Sequence, residues 1–358
     1  MIFFIMKNMS VQKFPFSLPG ASLFIALFVG ISAFAQTVST QPVGFLKVNL
    51  PAGTTASPSR TPFSVAIQNQ SSVPSGSATG TITAVGTSSI SDSAGNWTPG
   101  ALSAKATPYL IRILSGTARG TNWQISTSAP NTATTLTVLN QGFNLTNLGI
   151  VSGVDTYEII PADTLNNLFG ATILPGGATS SEADNVEVWN GFAWIVHYFN
   201  TTANQWQRVA SPDTYSGDTV IRPDAGMIII HRFPVQTFRL LGRMAPSGLQ
   251  LRYATQGYTY LCGYPITQTF GAAKFQNLPG WKQNADYLQA DVVEVWNGFA
   301  WISYFFNPSP TPGQWQRAGL GTSADTVPVF IPGRPVMFNT RGPDVGPALL
   351  LQTNPLAN

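Results

Sequence analysis

The feature that most constrains the fold is a block of sequence that occurs twice. Val186–Arg208 reads VEVWNGFAWIVHYFNTTANQWQR, and Val293–Arg317 reads VEVWNGFAWISYFFNPSPTPGQWQR. In each copy an Asn-Gly pair separates two apolar runs, which is the strongest short-range signal for a β-hairpin. The sequence therefore predicts the same hairpin at two places in one chain.

Further matches flank the two blocks in the same order. Asp218-Thr219-Val220 corresponds to Asp325-Thr326-Val327, and a Phe-Gly-Ala tripeptide precedes each block. The two copies lie much further apart than the ~20–50-residue periods of solenoids and propellers. We therefore expect two duplicated small β-sandwich or barrel-like units, at residues 154–235 and 257–345, joined by connecting strands at 236–256. An N-terminal β domain at 36–153 precedes them, and a tail at 346–358 follows.

The rest of the chain reads as short strands, so the expected fold class is all-β. Runs such as VGFLKVNL and YLIRIL, rich in apolar β-formers and bounded by turn residues, are typical of strands. No segment has the 3.6-residue apolar period of an amphipathic helix. The one expected helical turn is Asp163–Phe169, with Asp163 as its N-cap.

A two-residue Asn-Gly loop sets the predicted register of the first hairpin, in which Trp189 faces Phe192 and Glu187 faces Trp194. Side chains alternate between the two faces of a strand. One face is then aliphatic and carries Val186, Val188, Ala193, Ile195, His197 and Phe199. The other face is aromatic and carries Glu187, Trp189, Phe192, Trp194, Val196 and Tyr198. In the second copy the aromatic face carries Glu294, Trp296, Phe299, Trp301, Ser303 and Phe305.

The aromatic face supports two interpretations. The first is a strand pair buried on both sides, inside a sandwich or where the two copies meet, since aromatic cross-strand pairs stabilise sheets by ~0.2–1 kcal/mol each. The second is an open platform for a glycan, because Trp stacks on the apolar face of a sugar while a carboxylate accepts hydrogen bonds from its hydroxyl groups. The residues of that candidate binding site are Glu187, Trp189, Phe192 and Trp194, with Glu294, Trp296, Phe299 and Trp301.

Recurring carboxylates keep a third, enzymatic interpretation open. Asp184 and Glu187 have the same spacing as Asp291 and Glu294, and two carboxylates can act together on a glycosidic bond. Positions i and i+3 of a strand point to opposite faces, so neither pair is well placed to act on one bond. We expect instead that each Asp anchors a loop and that each Glu forms an ion pair across the sheet. The expected ion pairs are Glu187 with Arg208 and Glu294 with Arg317.

Other catalytic and cofactor chemistry finds no support. The chain has one cysteine, Cys262, and two histidines, His197 and His231, too few for a four-ligand Cys/His zinc site. No G-x-S-x-G elbow marks a serine nucleophile. No EF-hand loop marks a calcium site, and no glycine-rich phosphate loop opens a helix. No cofactor is therefore expected, and Cys262 is expected to be a buried small hydrophobic side chain.

The charge composition limits the partners. Charged residues make up only 9% of the chain, and the formal net charge is +3. No cluster of Lys and Arg gives the electrostatic footprint of a nucleic-acid-binding protein. The expected partner is a glycan or another cell-surface protein, and not a nucleic acid.

Residues 1–35 have the pattern of a secretory signal peptide. Lys7 and Lys13 form a basic n-region, and the apolar run Ala21–Ala35 ends in Ala-Phe-Ala before Gln36. An uncleaved membrane anchor is the alternative, but the run is short for a span of ~20 residues. We expect a secreted protein of the extracellular surface or periplasm, with no membrane span in its mature chain.

Four segments then follow the predicted signal: VGFLKVNLPAG, YLIRILSGTARGTNWQIS, DTYEIIPADTLNNLFG and the EVWNGFAW…QWQR block. In this order they resemble a paralogous family of uncharacterised secreted proteins from verrucomicrobial bacteria. The resemblance covers most of the mature chain. It implies export and membership of a multi-copy surface or periplasmic set, and it supplies no catalytic residue.

We therefore expect an exported, non-enzymatic surface or periplasmic protein of structural or adhesion type. A glycan-binding module that uses the aromatic sheet face is the alternative, and a carboxylate-dependent glycoside-acting enzyme is third. Packing of the aromatic face inside the protein would favour the first function, and an exposed, concave face would favour the second.

Overall fold

The computed structural model describes residues 43–67, 78–190, 193–245, 248–309, 311–342 and 348–352. Antiparallel sheets form nearly all of the regular structure in these residues, which confirms the all-β fold class. Within the same ranges, no helix is both long and apolar enough to cross a bilayer. The predicted signal peptide at 1–35 and the candidate site residue Phe192 lie outside them.

Short strands follow one another closely along the chain. Those before the first repeated block are β1 (Val43–Leu50), β2 (Ser59–Ser64), β3 (Thr79–Thr81), β4 (Ala84–Val85), β5 (Ser89–Ser91), β6 (Tyr109–Ile113), β7 (Asn122–Ile125), β8 (Thr135–Leu139), β9 (Thr156–Pro161) and β10 (Asp163–Thr164). The next are β11 (Asn185–Trp189), β12 (Trp194–Asn200), β13 (Gln205–Arg208), β14 (Ser211–Tyr215), β15 (Val220–Ile221), β16 (Gly226–His231) and β17 (Gln236–Arg243). The last are β18 (Leu249–Tyr253), β19 (Gln256–Cys262), β20 (Gln268–Thr269), β21 (Val292–Trp296), β22 (Trp301–Asn307), β23 (Gln314–Arg317), β24 (Pro328–Phe330), β25 (Pro335–Arg341) and β26 (Ala348–Gln352). The helical segments of the described residues are α1 (Leu165–Phe169), α2 (Phe270–Ala273) and 3₁₀ turns at Ala101–Ser103, Leu145–Leu148 and Phe275–Asn277.

These strands form three larger sheets and several two-stranded ribbons. A seven-stranded sheet has the order β3-β9-β6-β7-β8-β5-β4, a six-stranded sheet β14-β13-β12-β11-β16-β2, and a five-stranded sheet β19-β25-β21-β22-β23. The ribbons are β1-β17, β10-β15, β18-β26 and β20-β24. Each larger sheet contributes to a separate hydrophobic cluster, centred on Trp123, Trp206 and Trp315 in chain order. Cys262 is fully buried, as predicted.

The two repeated blocks have matching strand pairings. β11 pairs with β12 and β16, and β21 pairs in the same way with β22 and β25. The QWQR strands β13 and β23 extend the two sheets on the far side of β12 and β22. The origin of this likeness in a duplication, and the sandwich or barrel form of each unit, stay predictions from the sequence.

The first two strands pair with strands far along the chain. β2 pairs with β16 at the edge of the six-stranded sheet, and β1 pairs with β17. Phe63 of β2 lies edge-on to Phe238 of β17, with ring centroids 6.1 Å apart. Strands from the predicted N-terminal domain and connecting segment therefore share one hydrophobic cluster with the first repeated block. The residue boundaries of the predicted domains stay predictions.

The predicted hairpin register is wrong. Trp296 pairs with Trp301, not Phe299, and the first hairpin likewise pairs Trp189 with Trp194. The Asn297 N–H donates to the Ala300 carbonyl over 3.1 Å, so the two residues of the loop are Gly298 and Phe299.

Glycine at the first loop position explains the displaced turn. Gly298 has φ +109°, and a type II′ turn requires positive φ only at its first central residue, whereas type I′ requires it at both. The Asn297 side chain, freed from the loop centre, accepts hydrogen bonds from the N–H groups of Phe299 and Ala300 at 2.9 Å. Moving the turn by one residue changes each cross-strand partner by two positions. For the residues that remain in the strands, the predicted division into aliphatic and aromatic faces therefore stands, whereas Phe299 lies in the loop.

The predicted helical turn exists, but Asp163 is not its N-cap. Thr164 caps α1: its hydroxyl accepts from the Asn167 N–H, and the Asn167 side chain accepts in return from the Thr164 N–H. This reciprocal arrangement is a capping box, in which an amide takes the place of the usual Glu or Gln. Asp163 instead pairs with Ile221 in the β10-β15 ribbon.

A row of buried polar side chains crosses the seven-stranded sheet. Arg112 on β6 lies opposite Asn122 on β7 and Glu158 on β9. Its guanidinium donates to Glu158 Oε1 at 2.7 Å and to Asn122 Oδ1 at 3.0 Å, and the residue has no exposed surface. Burial lowers the pKa of Arg112 to about 10, and the charge of Glu158 opposes that shift.

Candidate functional site

The aromatic faces of the two hairpins are the first candidate site. Each ends in a cross-strand Trp pair next to the turn, because two Trp residues flank the four-residue NGFA segment in both copies. The ring centroids of Trp189 and Trp194 are 5.3 Å apart, and those of Trp296 and Trp301 are 5.5 Å apart. Both pairs have the edge-to-face geometry that aromatic quadrupoles favour.

Tyr260 of β19 connects the two Trp pairs. Its ring centroid lies 4.4 Å from that of Trp194, 5.5 Å from that of Trp189 and 6.0 Å from that of Trp301. Five rings therefore form a continuous row from one hairpin to the other, and every one of them is partly buried. The faces meet each other here, as in the first interpretation of the sequence. We name this row, Trp189, Trp194, Tyr260, Trp301 and Trp296, the aromatic row.

Phe299 does not join the aromatic row. It sits at the tip of the second hairpin and is 91% exposed. Phe192, which corresponds to it in the first hairpin, is outside the described residues. Of the eight candidate binding residues, the structure thus brings the four Trp side chains together and leaves Phe299 apart, and a binding role for them stays a prediction.

The two glutamates lie beside the aromatic row, but not with the predicted arginines. Glu187 Oε2 contacts Arg60 Nη2 of β2 at 2.5 Å, and Arg208 is on the opposite face of the sheet because it pairs with His197. In the second block Arg317 pairs with Tyr304 in the same way. Both predicted ion pairs, Glu187–Arg208 and Glu294–Arg317, are therefore wrong. In each block the Glu and the Arg lie on opposite faces of the sheet.

Burial changes the chemistry of both glutamates. Desolvation raises the pKa of Glu187, and the positive charge of Arg60 opposes the shift. Desolvation also raises the pKa of Glu294, opposed by the charge of Arg341 and a hydrogen bond from Ser303. Burial, and then the charge of Glu294, raises the pKa of Tyr260, so the tyrosine at the centre of the aromatic row remains a neutral hydroxyl.

The recurring aspartates anchor the chain next to their strands, as the sequence predicts. Asp184 Oδ1 accepts from the Arg232 N–H at 2.8 Å, and Asp291 Oδ1 accepts from the Arg341 N–H at 2.5 Å. Asp184 Oδ2 lies 2.6 Å from Nδ1 of the fully buried His231. The other ring nitrogen of His231 donates to the Pro234 carbonyl at 2.8 Å, since a carbonyl can only accept. Both ring nitrogens are thus occupied, which favours a structural role for the pair.

His197 lies in a cavity that the sequence did not predict. It is on the aliphatic face of the first hairpin, 1% exposed, with Nδ1 3.0 Å from Ser216 Oγ. The cavity has a volume of about 300 Å³ and is also lined by Arg208 and Arg222. A register extended from β12 to β13 places His197 opposite Arg208. That pairing is the sequence signal that could have indicated a polar site on this face.

Acidification is expected to destabilise the protein by about 3 kcal/mol through His197, at 1.36 kcal/mol per pKa unit. Burial first, and the charge of Arg208 second, lower the pKa of His197 from 6.5 to about 4. Below pH 6.5 the unfolded chain binds a proton that the folded chain refuses, so this stability is complete above pH 6.5 and is lost as the pH falls to about 4. The measurement is the free energy of unfolding across this window for the wild type and His197→Gln. The variant lacks this titration, so a difference between the two proteins that does not change with pH would contradict the prediction.

Over the described ranges, no cluster of three or more His, Cys, Asp or Glu side chains is arranged to bind a metal ion. The histidines are separated by their contacts, one facing Ser216 and the other Asp184.

Comparison with known proteins identifies no relative of this chain. The resemblance to the verrucomicrobial secreted family therefore stays a prediction from the quoted segments. Neither a scan against protein-family models nor searches of curated proteins and of solved structures found a match to the chain.

Proposed function

We propose that the protein is an exported, non-enzymatic structural or adhesion-type protein of the cell surface or periplasm. The observation that best supports this proposal is the aromatic row, because the side chains most suited to stacking on a sugar are packed edge-to-face against each other. Trp194 and Trp301, from different sheets, both contact Tyr260. The charge-poor composition and the predicted signal peptide support export.

The aromatic row gives the repeated blocks a mechanical role in this proposal. Edge-to-face ring pairs contribute ~0.5–1.5 kcal/mol each beyond the area that they bury. The six-stranded and five-stranded sheets also meet at Gly226, where an added Cβ would lie 2.6 Å from Pro335 Cβ. A protein whose two sheets are held at a close, aromatic contact is suited to transmit load or present a fixed surface.

One observation favours glycan binding as a second candidate. A cavity of about 220 Å³ is lined by Trp296 at the outer end of the aromatic row, together with Lys47, Asn49 and Arg334. The exposed Phe299 projects from the same hairpin tip. A Trp ring can stack on the apolar face of a sugar while the flanking hydrogen-bond donors bind its hydroxyl groups.

A matched pair of variants separates the two functions. Trp194→Ala removes contacts with two rings and is expected to lower the free energy of unfolding by about 2–3 kcal/mol. Trp296→Ala removes contact with one ring and is expected to cost about half as much. The measurements are chemical denaturation followed by circular dichroism, and binding of the wild type and both variants to a glycan array.

The structural proposal expects no binding of neutral glycans by any of the three proteins and the larger destabilisation in Trp194→Ala. Glycan binding by the wild type that is lost in folded Trp296→Ala and kept in folded Trp194→Ala would instead establish the second candidate. Equal, negligible destabilisation by both substitutions would remove the mechanical role of the aromatic row.

A further inference from the structure

The cavity that contains His197 lies between the first repeated block and the seven-stranded sheet. The aliphatic hairpin face supplies Val188, Ile195 and His197 to its wall, and Gln124 of β7 and Gln141 after β8 face them. A volume of about 300 Å³ is at the lower end of the ~300–1,000 Å³ typical of small-molecule sites. The cavity therefore has room for one compact organic molecule.

Two buried nitrogen atoms in its wall have no hydrogen-bond partner. They are Nε2 of His197 and Nε of Arg208, whose residues occupy paired positions on β12 and β13. A buried donor without an acceptor is destabilising, so a ligand group that accepts hydrogen bonds from these atoms would be favourable. The Ser216 hydroxyl, 3.0 Å from His197 Nδ1, can donate to that nitrogen and leave Nε2 as the N–H donor.

The wall carries positive charge without a carboxylate of its own. Arg208 and Arg222 line the cavity, and none of the described lining residues is Asp or Glu. The charge of Arg222 is partly neutralised by Asp224, whose Oδ1 lies 3.7 Å from Arg222 Nε. Arg222 also donates a hydrogen bond to the Gln141 side chain. Glu187, the carboxylate within this hairpin, forms an ion pair with Arg60 on the other face.

We infer that this cavity binds a small organic acid of about the size of one sugar-acid residue, with its carboxylate between Arg208 and His197. A guanidinium is the preferred partner of a carboxylate in proteins. The side-chain amides of Gln124 and Gln141 and the hydroxyl of Thr219 are placed to meet hydroxyl groups of the ligand. Val188, Ile195 and Val220 supply the apolar wall against its carbon skeleton.

The matching positions of the second repeated block, Tyr304 and Arg317, do not form this buried pair and so provide the control. Tyr304 stands where His197 does, and its ring packs on Phe270 with centroids 4.7 Å apart. Arg317, the counterpart of Arg208, is exposed. A substitution of Arg317 removes the same charge from the same strand position without touching the cavity.

Calorimetric titration of the purified protein with D-galacturonate tests the inference. D-galactose is the matched ligand, since it differs only in having a hydroxymethyl group in place of the carboxylate, and inorganic phosphate tests for a generic anion site. Arg208→Gln is expected to weaken galacturonate binding about tenfold to hundredfold, the usual effect of losing a charge-assisted hydrogen bond, and Arg317→Gln is expected to leave it unchanged. His197→Tyr, which introduces the residue of the second block, is expected to abolish binding by filling the cavity. Circular dichroism confirms that each variant is folded.

Several results would overturn the inference. They are a Kd for galacturonate weaker than ~10 mM, equal binding of galactose or of phosphate, or equal loss of affinity in the two arginine variants. Trp189 of the aromatic row also borders the cavity, but none of these substitutions changes it, so the site and the proposed structural function can fail separately.

Discussion

Glu158→Gln is expected to lower the free energy of unfolding by about 3–5 kcal/mol, because it leaves the Arg112 guanidinium buried without its carboxylate. Arg112 has no exposed surface, and its Nη1 donates to Glu158 Oε1 at 2.7 Å. Burying a charge without a partner costs far more than burying a neutral group, since the solvation lost in the protein interior is not replaced. Chemical denaturation of the wild type and the variant measures the loss.

A double variant distinguishes the cost of an unpaired charge from the net contribution of the ion pair. Arg112→Met with Glu158→Leu removes both charges, and it is expected to recover most of the stability lost by Glu158→Gln, because apolar replacements of buried ion pairs are commonly neutral or stabilising. A double variant as unstable as the sum of its single variants would contradict this account. It would show that the pair itself, with the hydrogen bond to Asn122, stabilises the sheet.

Trp315→Ala is expected to cost about 3–5 kcal/mol, the usual range for removing a large aromatic side chain from a core. Trp315 is fully buried, and its ring contacts those of Phe270, Phe275, Trp281 and Phe306 at centroid distances between 4.8 and 6.0 Å. The substitution therefore opens a cavity at the centre of the second block's cluster. The measurement is the free energy of unfolding by circular dichroism in denaturant.

Trp206→Ala in the first block is the matched comparison. Trp206 is equally buried but contacts the rings of Phe169 and Phe199 alone among the aromatic contacts of the described residues, and its indole N–H donates to the Gly170 carbonyl at 3.0 Å. We expect a loss no larger than that of Trp315→Ala. Trp315→Phe, which keeps a ring in the core, should cost less than half of the alanine change. A loss below about 1 kcal/mol for Trp315→Ala would contradict its central position, since that value is the ordinary effect of any substitution.

Local patterns predicted the strands and the two faces of each hairpin correctly. They did so because the alternation of side chains between the two faces of a strand depends only on neighbouring positions in the sequence. The turn was displaced because an Asn-Gly sequence is compatible with two turns. Asn-Gly can be the central pair of a type I′ turn, or Gly alone can begin the central pair of a type II′ turn, and only the backbone of Gly298 shows which one forms. The cap of α1 moved from Asp163 to Thr164 for a similar reason: adjacent residues with capping side chains compete for one position.

Contacts between segments that are distant in the chain could not be predicted from the sequence. Nothing in the pattern of β19 marks Tyr260 as the ring that joins the two Trp pairs, and nothing marks Arg60 as the partner of Glu187. The cavity around His197 depends on Gln124 and Gln141, which come from a different sheet. Each of these contacts is set by how sheets pack, and packing has no period along the chain.

The pairing of β2 with β16 has a consequence for the order in which the protein assembles. These strands are separated in the chain by the whole seven-stranded sheet, and the entropic cost of closing a loop grows with its length. Within that sheet, however, β3 and β9 are neighbours, so its two ends lie side by side. Once the seven-stranded sheet has folded, the loop that remains to be closed between β2 and β16 is effectively shorter, because β3 and β9 already lie together. β2 can therefore pair only after β16 has been synthesised, and the folded sheet between them lowers the entropic cost of that pairing.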